Sequence, residues 1–196
     1  MEQLGRIVRL QVQHAPLKRG RRPDRWYDAD RIRRVDALTV TEHGVVGHVT
    51  GEADGIVDAH HRDHPESRHR GDNGLSILTT GHYARLREQF GDHVTDGIAG
   101  ENVLFERAGW LDVADLDNGI LVTPSRAGAD GRGDRLVLTG ARPAEPCVEF
   151  SRLVAGTGVP MQEPLRQLRG GARGYLLRVE RGAGSVLREG DRVLVA

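Results

Sequence analysis

The chain has 196 residues, enough for one domain with a core or a domain with a small annex. Basic and acidic side chains both number 28, so no net field favours nucleic acid or an anionic membrane. No apolar stretch reaches the roughly 20 residues of a membrane span, the N-terminal MEQLGRIVRLQ lacks the apolar region of a secretory signal, and the lone cysteine cannot form an internal disulfide, so a cytoplasmic location is expected.

Residues 5–12 mix β-branched and polar side chains and read as a strand. Residues 14–30 are polar, hold two prolines and the basic run Lys18-Arg19-Gly20-Arg21-Arg22, and read as a solvated loop. A strand running into a turn is expected over 37–40 and 44–47. The stretch 51–73 carries His60, His61, His64 and His69 with almost nothing to pack, and predicts a long surface loop of the kind that borders a site. Residues 75–78 read as a short strand. Thr80 is then placed to cap a helix through Phe90, with Tyr83, Leu86 and Phe90 on one face and Gly91 as its stop. Short strands follow at 102–105, 119–123, 134–139, 175–179 and 191–195, each bounded by Gly, Asp or Pro, with one short helix expected over 161–169. With 26 glycines and few aromatics, this pattern predicts a single mainly-β domain over 1–196, a barrel with a few helices.

Three stretches could carry chemistry. Cys147 follows Pro146, which cannot donate to a sheet ladder, so strand pairing is broken there. Arg142 and Arg152 lie five residues to either side, and guanidinium groups favour the nucleophilic, metal-binding thiolate; Glu145 and Glu149 oppose this if they face the same way. Residue type alone leaves a packed and a reactive thiol both open. In GIAGENVLFE, residues 97–106, two glycines allow a tight turn before Glu101 and Asn102, and an Asn amide suits a heterocycle bearing amide groups. His69 between Arg68 and Arg70 could hold a phosphate, or be a surface cluster. His60, His61 and His64 have a zinc-like spacing but no nearby Cys partner. No P-loop, GxGxxG, GxSxG or HExxH occurs, which removes the usual entry points for nucleotide, hydrolase and zincin chemistry.

In order and content, HGVVGH (43–48), RHRGDNGLSIL (68–78), GIAGENVLFE, LTGARPAEPCVEF (138–150) and the closing GARGYLLRVERGAGSVLREGDRVLV (171–195) resemble the MOSC family, the molybdenum cofactor sulfurase C-terminal domain. The resemblance runs from about residue 5 to the end and implies a MOSC-like β-barrel with flanking helices. It further implies molybdenum cofactor (molybdopterin) chemistry, in a sulfur carrier or the molybdenum-bearing part of a reductase for N-hydroxylated compounds. Cys147 would be the catalytic cysteine and metal ligand. Glu101 and Asn102 would shape the pocket and Arg142 would lie near the pterin phosphate, with Arg68, His69 and Arg173 as further cofactor contacts. A separate cysteine desulfurase or an external electron donor would be the partner, and neither nucleic acid nor membrane is expected. One departure is the run Arg142-Pro-Ala-Glu-Pro146-Cys147, two residues longer than the family's Arg-x-Pro-Cys. It allows an alternative, a non-enzymatic small-ligand module on the same barrel.

Overall fold

The computed structural model describes residues 2–68, 75–125, 135–156 and 158–196. The strands are β1 (Gln3–Gln13), β2 (Lys18–Arg19), β3 (Trp26–Tyr27), β4 (Ile32–Arg34), β5 (Ala37–Thr41), β6 (Gly44–His48), β7 (Ile56–Val57) and β8 (Leu75–Thr79). Helix α1 (Thr80–Phe90) follows, then β9 (Val103–Glu106), β10 (Ile120–Thr123) and β11 (Leu136–Pro143). The chain ends with α2 (Val148–Ala155), α3 (Gln162–Gln167), β12 (Tyr175–Arg181), β13 (Val186–Arg188) and β14 (Arg192–Val195).

Seven strands close on themselves in the order β14-β10-β11-β12-β8-β9-β1, with β1 returning to β14. This is the mainly-β barrel with helices that the resemblance implies. All neighbours are antiparallel except β8 and β9, whose parallel pairing requires the α1 crossover between them. Strand β1 is long enough to serve three partners. Its start pairs with β14, its middle with β9, and Gln11–Gln13 leave the barrel to pair with β4. A smaller sheet, β13-β5-β6-β7, packs Leu38, Val40, Val45 and Leu187 into the main core.

Alternation along the strands separates two cores. In β9, Val103 and Phe105 join the main cluster, which draws on all seven barrel strands, while Leu104 faces the second. That second cluster lies beneath the helices, where Leu78 and Leu104 meet Tyr83 and Leu86 of α1 and Phe150 and Val154 of α2. None of the described helices is long and apolar enough to cross a membrane.

The helix over Thr80–Phe90 forms as its spacing predicts, with Gly91 at a positive φ of 107° ending it. The cap is Thr79 rather than Thr80; its side chain accepts from His82 N, and Thr80 Oγ1 is engaged by the Arg107 backbone instead. The segment after Cys147 is helix α2, which the residue pattern did not announce. The described part of the 51–73 stretch, residues 51–68, is also tighter than a surface loop. It contains β7 and buries Asp58 and His61, both below one-tenth exposed.

Gly81 sits in the first turn of α1 against another backbone. A Cβ there would lie 1.9 Å from the Gly109 carbonyl oxygen and 2.6 Å from its carbon. Gly-to-Ala normally stabilises a helix interior by about 1 kcal/mol. Here Gly81→Ala is expected to lower stability by about 1–3 kcal/mol, because neither backbone can yield. Urea unfolding with an unchanged slope would measure it.

Candidate active site

The four residues 97–100 are held by side chains from several elements. Gly97 and Gly100 have positive φ (90° and 81°), which allows the turn. Gln11 Nε2 donates to Gly97 O at 2.7 Å, Tyr27 Oη to Ile98 O at 2.9 Å, and Gln13 Nε2 to Gly100 O at 2.7 Å. Ala99 N donates to Tyr83 Oη at 3.0 Å, and Arg173 Nη2 donates to Ala99 O at 3.4 Å. The turn's polar groups are thus paired inside the fold, leaving little freedom in where Glu101 and Asn102 emerge.

Asn102 is fully engaged. Its Oδ1 accepts from Ser76 N at 3.1 Å and Ser76 Oγ at 2.8 Å, and its Nδ2 donates to Gln11 O at 3.3 Å and Asp58 Oδ2 at 3.0 Å. Such a residue staples β8, β1 and the Asp58 segment together. Glu101 is different. Tyr83 Oη donates to its Oε2 at 2.8 Å, while its buried Oε1 has no hydrogen-bond partner. Burial pushes its carboxyl up to about 7, despite the opposing Tyr83 hydroxyl and Arg9 charge.

Both residues line a cleft of about 660 Å³ beside the barrel wall. Gln13, Lys18, His60, Arg68, Ala144, Glu145 and Arg173 are among the others on its surface. The barrel strands fix the floor, and the β2–β3 hairpin and the Cys147 loop form its sides. Lys18 and Arg68 make no side-chain hydrogen bond or ion pair among the described residues. Tyr27, on the same cleft, has its phenol held up by burial, with the Arg173 charge working against it.

Cys147 is half-buried at the position preceding α2, and Ser151 N and Oγ both donate to its carbonyl at 2.9 Å. A guanidinium beside its sulfur is that of Arg173, which is 26 residues away in sequence. Arg173 Nη1 lies 3.6 Å from Cys147 Sγ and 3.1 Å from Glu145 O, with its plane 4.4 Å over the Phe150 ring. Arg152 Nη1 reaches Pro23 O instead. Glu149 is held by Arg25 at 2.5 Å, and its carboxyl sits low: burial would raise it, but the Arg25 hydrogen bond and charge prevail.

Glu101, Asn102, Arg68 and Arg173 therefore meet on one cleft, with Cys147 adjoining it through Arg173. Arg142 stands on an exposed part of β11 opposite Leu176 and is not on the cleft surface. His69 lies outside the described residues. Residue-by-residue reading did not single out Asp58 or Tyr27, and it placed Tyr83 only on one face of the helix, not at the site. The one sequence signal for Asp58 is the Asp-Ala-His spacing, which puts the histidine two residues beyond the carboxylate. His60 Nδ1 and Asp58 Oδ1 are 2.9 Å apart. No group of three His, Cys, Asp or Glu among the described residues could hold a metal ion by itself.

Neither a protein-family model nor a curated protein matches this sequence. Solved structures do. The YuaD protein from Bacillus subtilis is similar at 14% identity and a TM-score of 0.58, over 96% of this chain and 93% of that one. A hypothetical protein is similar at 16% identity and a TM-score of 0.54, over 99% of this chain and 70% of that one. YiiM from Escherichia coli aligns at 16% identity and a TM-score of 0.49, over 84% of this chain and 64% of that one. At such identities the likeness is one of fold: this chain shares, over nearly its whole length, the fold of the Bacillus subtilis YuaD protein.

Proposed function

We propose that the cleft binds a molybdenum–pterin cofactor, with Cys147 as the residue that carries sulfur to it or ligates its metal. The observation that carries this reading is Arg173. It bonds the Ala99 carbonyl of the Gly-Glu-Asn turn and the Cys147 sulfur at once, uniting two motifs about 45 residues apart in sequence. The residues present also suit such a group. The cleft's 660 Å³ falls in the range of small-molecule sites, roughly 300–1,000 Å³. Lys18 and Arg68, which make no ion pair among the described residues, supply positive charge for a phosphate, Glu101 Oε1 offers an acceptor for a ring N–H, and a thiol is a soft ligand for a soft metal centre.

When bound, the cofactor supplies the redox chemistry at its metal. The chain's own residues bind and orient. Lys18 and Arg68 would hold the anionic end, Glu101 would read the ring edge, and Arg173 would keep the Cys147 sulfur at the cleft's side. Asn102 acts by fixing the floor. The protein would then serve as a sulfur carrier, or as the molybdenum-bearing component of a reductase for N-hydroxylated compounds, served by a separate desulfurase or electron donor.

One observation favours the alternative, a small-ligand module without cysteine chemistry: neither Cys147 nor Arg142 is among the residues lining the cleft. Protein purified from cells supplied with molybdenum separates the two. Stoichiometric molybdenum and pterin in the native protein, lost in Cys147→Ala, is the expected result. Absence of both from the native protein would leave the alternative standing.

A further inference from the structure

Lys18 is the sole lysine among 28 lysine and arginine side chains, and it lines the cleft with Arg68. Other cations at this wall are committed: Arg19 and Arg31 share Asp28, and Arg25 holds Glu149. Beside them stands His60, also on the cleft surface. Its side chain is 47% exposed, so a ligand can reach it. Its Nδ1 is bound to Asp58 Oδ1 at 2.9 Å, and its Nε2 makes no hydrogen bond among the described residues.

Asp58 holds that ring from a fixed position. Its carboxylate is almost wholly buried, and four donors meet it. Oδ1 accepts from His60 N at 2.8 Å as well as from the ring; Oδ2 accepts from Gln13 N at 2.8 Å and Asn102 Nδ2 at 3.0 Å. A carboxylate on Nδ1 sets the tautomer of the neutral ring, leaving the Nε2 lone pair outward. The neighbouring His61 has no such arrangement. Its ring is buried, with Nδ1 accepting from Asp63 N at 3.1 Å and Nε2 3.3 Å from Thr41 Oγ1.

We propose that His60 is the acid–base group of this cleft, exchanging a proton at Nε2 with an oxyanion-bearing ligand held by Lys18 and Arg68, while Asp58 and Asn102 position it. The step moves one proton and no electrons. As the anion docks, Nε2 takes a proton from solvent and donates it in a hydrogen bond to the ligand oxygen; on release the proton returns to solvent, or passes to the ligand where the ligand oxygen is the stronger base. The charged groups facing the ring are consistent with this. Burial disfavours the imidazolium, but the Asp58 hydrogen bond and charge outweigh it and hold His60 above the ordinary histidine value, with Lys18 opposing. Glu66 and Arg68 share the cleft surface, and Glu101 lies on its floor as the other titratable group near neutrality. The inference rests on the cleft binding a small anionic molecule, and not on that molecule containing molybdenum.

Sulfate tests it, because sulfate does not itself titrate near neutrality. Titration calorimetry just above neutral pH, in two buffers of different ionisation enthalpy, is expected to show net proton uptake on sulfate binding. Reductively methylated Lys18, one dimethyl-lysine NMR signal, is expected to shift with the same affinity. His60→Gln, a substitution at a half-exposed position, should abolish the proton uptake while the Lys18 signal still responds. Three results would overturn the proposal: no sulfate binding at the cleft, binding by the native protein without proton uptake, or uptake that persists in His60→Gln and so belongs to Glu101. Because no cofactor takes part, failure here is distinct from failure of the molybdenum analysis.

Discussion

Replacing Asp58 by alanine is expected to lower the unfolding free energy by about 3–5 kcal/mol, the cost of breaking a buried, fully hydrogen-bonded charge. Four donors lose their acceptor together: Gln13 N, Asn102 Nδ2, and the backbone and ring nitrogens of His60. Each buried orphan costs about 1–3 kcal/mol, and only the His60 ring can turn to solvent. The damage spreads, because Asn102 is the staple between β8 and β1. Asp58's carboxyl is held low: burial would raise it, but the hydrogen bond and charge of His60 and the Gln13 N–H prevail. The sign follows from that direction. The carboxylate's contribution is present above its unfolded value, near 4, and is lost as pH falls through the lower folded one. His60, held high, contributes below its unfolded value and loses that contribution as pH rises through the folded one. Urea unfolding of Asp58→Ala and native protein should differ most between these limits and converge in acid. A difference below 1 kcal/mol at neutral pH would show that the segment relaxes and repairs its hydrogen bonds.

The second large effect concerns pH. Glu101 titrates near 7 in the fold against an ordinary 4.5. A shift of that size corresponds to about 3 kcal/mol at roughly 1.4 kcal/mol per unit. Because the native state keeps the proton longer than the unfolded chain, this contribution to stability falls as pH rises from about 4.5 to about 7, then stays lost. His82 runs the other way. Burial first, then the charges of Arg85 and Arg107, depress its ring to about 4, so its penalty grows as pH falls below 6.5. The two slopes oppose, and native stability should vary little over that span. Glu101→Gln keeps an acceptor for the Tyr83 hydroxyl and removes one slope. It is expected to match native stability near pH 4.5 and to exceed it by up to about 3 kcal/mol above neutrality. Chemical denaturation at several pH values would check this. A pH-independent difference between the two proteins would mean that Glu101 is ionised in the fold and paired.

Much of the barrel is legible in local sequence because its causes are local. Alternation in Val103-Leu104-Phe105 sends neighbours to opposite faces, the Tyr83, Leu86 and Phe90 spacing makes one side of α1, and Gly91 can take the positive φ that stops it. The same locality explains the misses. Helix α2 has one dominant cause, burial of Phe150 and Val154 under the barrel wall, which a proline-flanked eight-residue segment does not advertise. Asp58 looks like a loop residue until β1 and Asn102 surround it.

The strand segments in chain order, the glycines of the Gly-Glu-Asn turn and the solitary thiol were legible in the sequence alone, since each is read from residues within a few positions; the groups that hold that turn, Gln11, Gln13 and Tyr27, reach it only through the fold. Which arginine attends Cys147 was decided only by the tertiary structure. Arg142 and Arg152 are nearest along the chain, yet strand pairing puts the one opposite Leu176 and the other reaches Pro23 O. Arg173, 26 residues on, arrives beside the sulfur because the segment entering β12 passes the cleft wall. Charge acts through distance in space, and chain folding alone sets that distance.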